Sequence, residues 1–315
     1  MKTYRLLKIT ILFLFISSLS AFGQSVDYWH NLSFTRERQA WLTYENDIFA
    51  ATDRYYSQGI SVCYKNPVKE ESKLSKLFFD IPGGAKTIGF GLDHMAFTPT
   101  TIAFDSIMYD NHPYAATFRA NVLYETVNEE RGNALSWMFS AGIIGPEAMG
   151  KEIQTAIHRA TDNPIPKGWQ YQINTGILLD AGIFARQRVA GIGRWFLLVA
   201  EENANLGTSR IDLNLGARMQ LQLATKNSRY LFAVYFNPAG RFIGYDGTLQ
   251  GSFISQPNIV TVASDRVSRA IFEREFGAIA RVGNFSMTGV FNLHTRQYTN
   301  GMTHRWGGIR VAWIF

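Results

Sequence analysis

The chain has 315 residues, 46% of them hydrophobic and 14% aromatic, with a net charge of +6, a mean hydropathy of −0.08 and a single cysteine. Beyond residue 23 no apolar run reaches the roughly 18 residues of a membrane helix, so a helical membrane protein is excluded. The basic residues are scattered, which argues against nucleic acid and for an anionic lipid surface as partner, and Cys63 alone cannot form an internal disulfide.

Residues 1–23 have the layout of a secretory signal peptide. Lys2, Arg5 and Lys8 precede an apolar core from Ile9 to Leu19, which is too short to span hydrocarbon and is followed by the small-residue site Ala21-Phe22-Gly23. Cleavage is expected after Gly23, leaving one domain over residues 24–315. No cysteine stands at the cleavage site to carry a lipoprotein anchor.

The mature chain opens with a strand-like stretch that turns polar at Asn46-Asp47 and continues through Thr52-Asp53-Arg54-Tyr55-Tyr56-Ser57. Two adjacent oxygen donors such as Asn46 and Asp47 suit a hard cation, and they equally suit an Asx turn at a strand end. Asp53 and Arg54 are read as a clamp at the next strand start. Apolar and polar residues alternate over 118–125 and, with lapses, 287–293.

The clearest alternation runs from Ile211 to Leu223, where every odd position is apolar and every even one polar or Gly. Its length exceeds the 9–11 residues that cross a bilayer as a β-strand. Asn66-Pro67, Ile81 to Gly84, Asn163-Pro164, Asn237 to Gly240 and Tyr298 to Gly301 read as turns. The sum is roughly a dozen antiparallel strands. They form a closed transmembrane β-barrel, because an open edge would leave backbone groups unpaired in lipid.

One segment breaks the pattern. Residues 145–160 read as a helix, with Pro146 at its first position, Glu147 at the positive end of its dipole and Asp162-Asn163-Pro164 after it. Ile153, Ala156, Ile157 and Ala160 make one apolar face, and His158 stands beside it, one turn beyond Gln154. Gln154 is expected to orient the imidazole if His158 is functional; otherwise His158 is a solvated flank residue. The G-x-x-x-x-G-K of residues 145–151 lacks the hydroxyl of a phosphate loop, and the commonest hydrolase motifs are absent.

In order along the chain, Asn46-Asp47, Thr52 to Gly59, Pro113-Tyr114-Ala115, Gly145 to Gly150 with Gln154 and His158, and then Trp169 and Gln172 together resemble the outer-membrane lipid A 3′-O-deacylases. The resemblance implies a twelve-stranded barrel with a short helix held near the extracellular rim. It also implies calcium-dependent hydrolysis of the ester bearing the 3′ acyloxyacyl chain of lipid A.

Carried over residue by residue, His158 is the general base, Asn46 and Asp47 form or support the Ca2+ site, and Ser57 orients substrate or water. Gln154, Asp53, Arg54 and Tyr114 support them. The expected protein is a monomer in the outer membrane of a Gram-negative bacterium, acting on lipopolysaccharide and recognised by the barrel assembly machinery through C-terminal Phe315. The chain departs from the family at Asn111-His112-Pro113-Tyr114-Ala115-Ala116, where Asp-Arg-Pro-Tyr-Ala-Gly is common. A phospholipase and a non-enzymatic barrel or pore are the alternatives.

Overall fold

The computed structural model describes residues 37–69, 77–227 and 230–315; the expected signal peptide lies outside them. Twelve long strands close a barrel: β1 Gln39–Asn46, β2 Tyr55–Val68, β3 Ala85–Thr98, β4 Ala115–Asn128, β5 Asn133–Ile144, β6 Gly176–Ile192, β7 Phe196–Gly207, β8 Arg210–Asn227, β9 Tyr230–Asp246, β11 Ala270–Val282, β12 Phe285–His294 and β13 His304–Ile314. A thirteenth, β10 (Ile254–Ser255), only adds two residues to the rim of β6. Neighbours pair antiparallel throughout, and β1 with β13 completes the ring. Among the described residues no helix is long and apolar enough to cross a membrane; the crossing elements are strands.

Strand alternation divides the wall into a lipid face and a lumen face. In β8, Asp212, Asn214 and Arg218 are buried inward while Leu215, Leu221 and Leu223 are exposed outward, as the alternation from Ile211 to Leu223 requires. The lumen is crossed by paired charges. Lys65 meets Glu125 at 2.6 Å, Arg119 meets Asp93 at 2.7 Å, Arg218 meets Glu201 at 3.0 Å and Arg241 meets Asp212 at 2.7 Å. A lumen cavity beside Arg119, Arg210 and Arg241 measures only about 40 Å³. Charges taken out of water persist only when paired, so these charges cross the lumen as pairs.

Two expected turns lie inside strands. Asn66-Pro67 belongs to the end of β2, and Asn237 to Gly240 lies in the middle of β9. Pro238 lacks an N–H, and its side of the β8–β9 ladder is interrupted between Gly216↔Ala239 and Met219↔Phe236. The ladder to β11 continues through Arg274↔Pro238, so the proline sits where no donor is needed.

At one end the connections 129–132, 193–195 and 283–284 are short, and 69–84 is the long exception. At the other end, residues 47–54, 99–114, 145–175, 247–269 and 295–303 make long loops, the extracellular pattern of such barrels. The helix α1 (Gly150–Ala160) belongs to this end, and a one-turn helix α2 (Gly247–Gln250) follows β9. Replacing Asp212 by Ala deprives Arg241 and Arg210 of a buried carboxylate, at an expected cost of about 3–5 kcal/mol. The barrel band in a gel should then convert to its unfolded mobility at a lower temperature, whereas the lipid-facing Leu221→Ala should shift it much less.

Candidate active site

The site is built on the outside of the wall. Along the outward face of β3, Phe90 and Leu92 are 53% and 43% exposed, but His94, Ala96 and Thr98, on the same face, are buried. Strand register sets Asn46, Gln58, Ala96 and Ala116 side by side in one row across β1 to β4. What covers this patch is α1, which packs on β3 and β4.

Local sequence explains how the helix arrives there. Gly145 has φ +110°, a conformation open to glycine, and a Cβ there would strike the backbone of Thr175. A single turn at Pro146–Ala148 follows, and Met149 leads into α1. Gly150 lets the helix approach so closely that a Cβ would lie 2.5 Å from that of Ala116 and 2.6 Å from the Trp169 ring.

The apolar face of the helix is not its buried one. Its buried stripe is Gly150, Gln154 and His158, while Ala156 and Ala160 are exposed and Ile153 and Ile157 half-buried. The wall offers the partners that Gln154 and His158 need, while Lys151, Glu152 and Arg159 stay exposed.

Gln154 does not orient His158 either. Its Oε1 accepts from Trp169 Nε1 at 2.8 Å, tying the helix to residues 169–171, and Trp169 in turn packs on Tyr114 with ring centroids 4.9 Å apart. His158 is held instead by the Pro164 carbonyl, 2.6 Å from Nδ1. That contact assigns the proton to Nδ1 and the lone pair to Nε2. Nε2 faces Asp53 Oδ2 across 3.8 Å, beyond direct hydrogen-bonding reach.

Asp53 and Arg54 do not clamp each other; they serve different neighbours. The Arg54 backbone N–H donates to Asp47 Oδ2 at 2.6 Å, and its guanidinium reaches the Met302 sulfur. Asn46 is an N-cap, accepting from Ile48 N at 2.7 Å ahead of the turn Asp47–Ala50. Asp47 is 2% exposed and also accepts from Thr52 Oγ1. One loop thus links Asp47 through Arg54 and Asp53 to His158.

Burial raises the Asp47 carboxyl to about 8; the Arg54 N–H opposes this, and the charge of Asp53 adds to it. Burial also raises the pKa of Asp53, which is 37% exposed, and His158 opposes that shift. A bound cation would relieve both strains, and the oxygen donors suit calcium in type. They do not suffice in number: among the described residues no three His, Cys, Asp or Glu side chains converge as a metal site. Remaining ligands would have to be carbonyl oxygens, water or substrate.

Ser57 is the extra residue of a β-bulge between Tyr56 and Gln58, its hydroxyl 2.7 Å from that of Thr98. The sequence alone assigns no role to His94, which it shows only in a strand without evident partners, or to Gln58, which stands within the Thr52 to Gly59 stretch. Under the helix, both ring nitrogens of His94, Gln58 Nε2 and Gln154 Nε2 lack a full hydrogen bond. The signal was there: on one face of one strand Phe90 and Leu92 give way to His94, where an uncovered lipid-facing strand would stay apolar.

Asn111 and His112 brace the neighbouring loop without charge. Asn111 Oδ1 accepts from Thr100 N, His112 N and the Tyr298 hydroxyl. His112 stacks flat on Phe97 at 5.3 Å and bonds through Nδ1 to the Pro113 carbonyl.

The sequence matches the family model described as outer membrane protein LpxR over residues 9–315. No curated protein matches it. Among solved structures it is similar to LpxR from Salmonella typhimurium, with TM-score 0.74 and 16% identity over 88% of this chain and 100% of that one. It is also similar to the β-domain of the Bordetella autotransporter BrkA, with TM-score 0.51 and 9% identity over 89% and 99%. At these identities the two structures speak for the fold alone.

Burial lowers the pKa of His112 to about 4, against the weaker opposing pulls of the Pro113 carbonyl and Asp246. The unfolded imidazole takes a proton near 6.5. His112 therefore contributes stability that is complete above pH 6.5 and is lost as the pH falls toward 4. Amide exchange over residues 99–114, corrected for intrinsic rates, should accelerate across that window, and His112→Gln should flatten the response.

Proposed function

This chain belongs to the LpxR family of outer-membrane proteins, and from that premise we propose that it is a lipid A 3′-O-deacylase, an esterase releasing the 3′-linked acyloxyacyl chain. The observation that carries the reading is the imidazole of His158, fixed by Pro164 and turned toward Asp53 in a seam between helix and outer wall.

The chemistry follows from that tautomer. Water entering the gap gives a proton to Nε2, and its oxygen attacks the acyl carbonyl carbon. The ester C–O bond breaks, and the imidazolium returns the proton to the departing 3′ sugar oxygen. Asp53 stabilises the imidazolium between the two transfers. Ser57 is engaged with Thr98 and orients water or substrate rather than attacking. A calcium ion held by Asp47 and Asn46 would polarise the carbonyl and stabilise the developing oxyanion.

Access suits a lipid. The seam opens onto a lipid-facing wall, so lipid A can enter sideways without leaving its leaflet. Lipid A treated with the purified protein and analysed by mass spectrometry should lose its 3′ acyloxyacyl group with calcium and keep it with chelator. Fatty acid released from glycerophospholipid alone would make the protein a phospholipase instead.

Two substitutions probe the parts. Asp53→Asn should slow turnover roughly tenfold or more, since one pKa unit of lost charge stabilisation is a factor of ten, with little change in KM. Asp47→Asn keeps an acceptor for Arg54 and Thr52 but removes the charge, so more calcium should be needed for half-maximal rate. An unchanged calcium response would take Asp47 out of the cation site.

A further inference from the structure

The barrel wall is not convex all round. On its lipid side lies a concavity of about 1250 Å³, with Leu42 and Trp313 on one flank, Leu179 and Leu206 on the other, and Phe90 and Phe139 on its floor. Residues of β13 and β7 share one hollow only if the strands between them bend inward. Its lining is mostly apolar, and at its centre Ala120 and Ala141 pair across β4 and β5.

The hollow leads to the seam. Register sets Leu42, Val62, Leu92, Ala120, Ala141 and Leu179 in one outward row. The row holding Asn46, Gln58, Ala96 and Ala116 stands four residues further along the same strands and on the same face, roughly 13 Å away at the rise of a β-strand. A lipid whose ester lies at His158 would hang its chains down this wall. The hollow is continuous with the lipid-facing belt, which suits acyl chains rather than protein.

On the deacylase reading above, we propose that this concavity seats the acyl chains of the substrate and that Ala120 and Ala141 set the chain length accepted. Apolar chains leaving bilayer for wall gain little from hydrophobicity, so discrimination comes from fit. The two methyl-sized side chains keep the centre of the hollow deep; larger ones would fill it.

The test uses two synthetic lipid A analogues that differ only in the length of the 3′ chains. Wild type, Ala120→Trp, Ala141→Phe and a far-wall control, Ala278→Trp, which is also exposed to lipid, are first checked for heat-shifted gel mobility. The ratio of long-chain to short-chain kcat/KM should fall about tenfold in each groove variant, the scale on which apolar pockets discriminate size, and stay constant in the control. An unchanged ratio, equal loss of both lengths, or the same fall in Ala278→Trp overturns the proposal. Wild type that cleaves neither analogue overturns the deacylase reading itself, and the groove proposal with it.

Discussion

The seating of α1 on the outer wall is the constraint from which the rest of the site follows. Gly150 against Ala116 permits an approach that a larger residue would block, and only at that distance do Gln154 and His158 become buried. At a barrel rim both faces of such a helix are specified at once. Gln154 and His158 take the wall, where polar groups can find partners, and the charged Lys151, Glu152 and Arg159 stay exposed. The seam buries His158 while Asp53 across from it stays partly exposed.

The lumen and the outer wall divide the work. Paired charges such as Arg241–Asp212 and Lys65–Glu125 cross the interior and support the strands from within. On the proposed reading the chemistry is left to the outside, where strand alternation would otherwise demand apolar residues. The polar row of Asn46 and Gln58 is tolerated there because the helix and the loop over residues 47–54 cover it.

Much of the barrel was legible in the sequence because period two is a local signal. The run from Ile211 to Leu223 declares its lipid and lumen faces unaided. Asn237-Pro238 misled because proline punctuates most chains, and only the pairing shows that its missing N–H falls at a gap in one ladder. The helix was legible as a helix, but its orientation was not, since periodicity marks an apolar stripe without saying whether core or lipid lies beside it. Gln154 and His158 are neighbours by spacing, yet their partners, Trp169 and Pro164, come from a loop whose path no spacing rule fixes. Asp53 seemed tied to Arg54 by adjacency, whereas the backbone turns the two apart.

One imidazole, that of His158, carries the proposed chemistry. The most direct measurement is the rate of 3′ deacylation of lipid A by His158→Gln, followed by mass spectrometry on protein whose heat-shifted gel mobility matches wild type. A loss of at least about 10²-fold, the lower bound for a positioned base, is the predicted result. Cleavage at the wild-type rate by an intact barrel would contradict it.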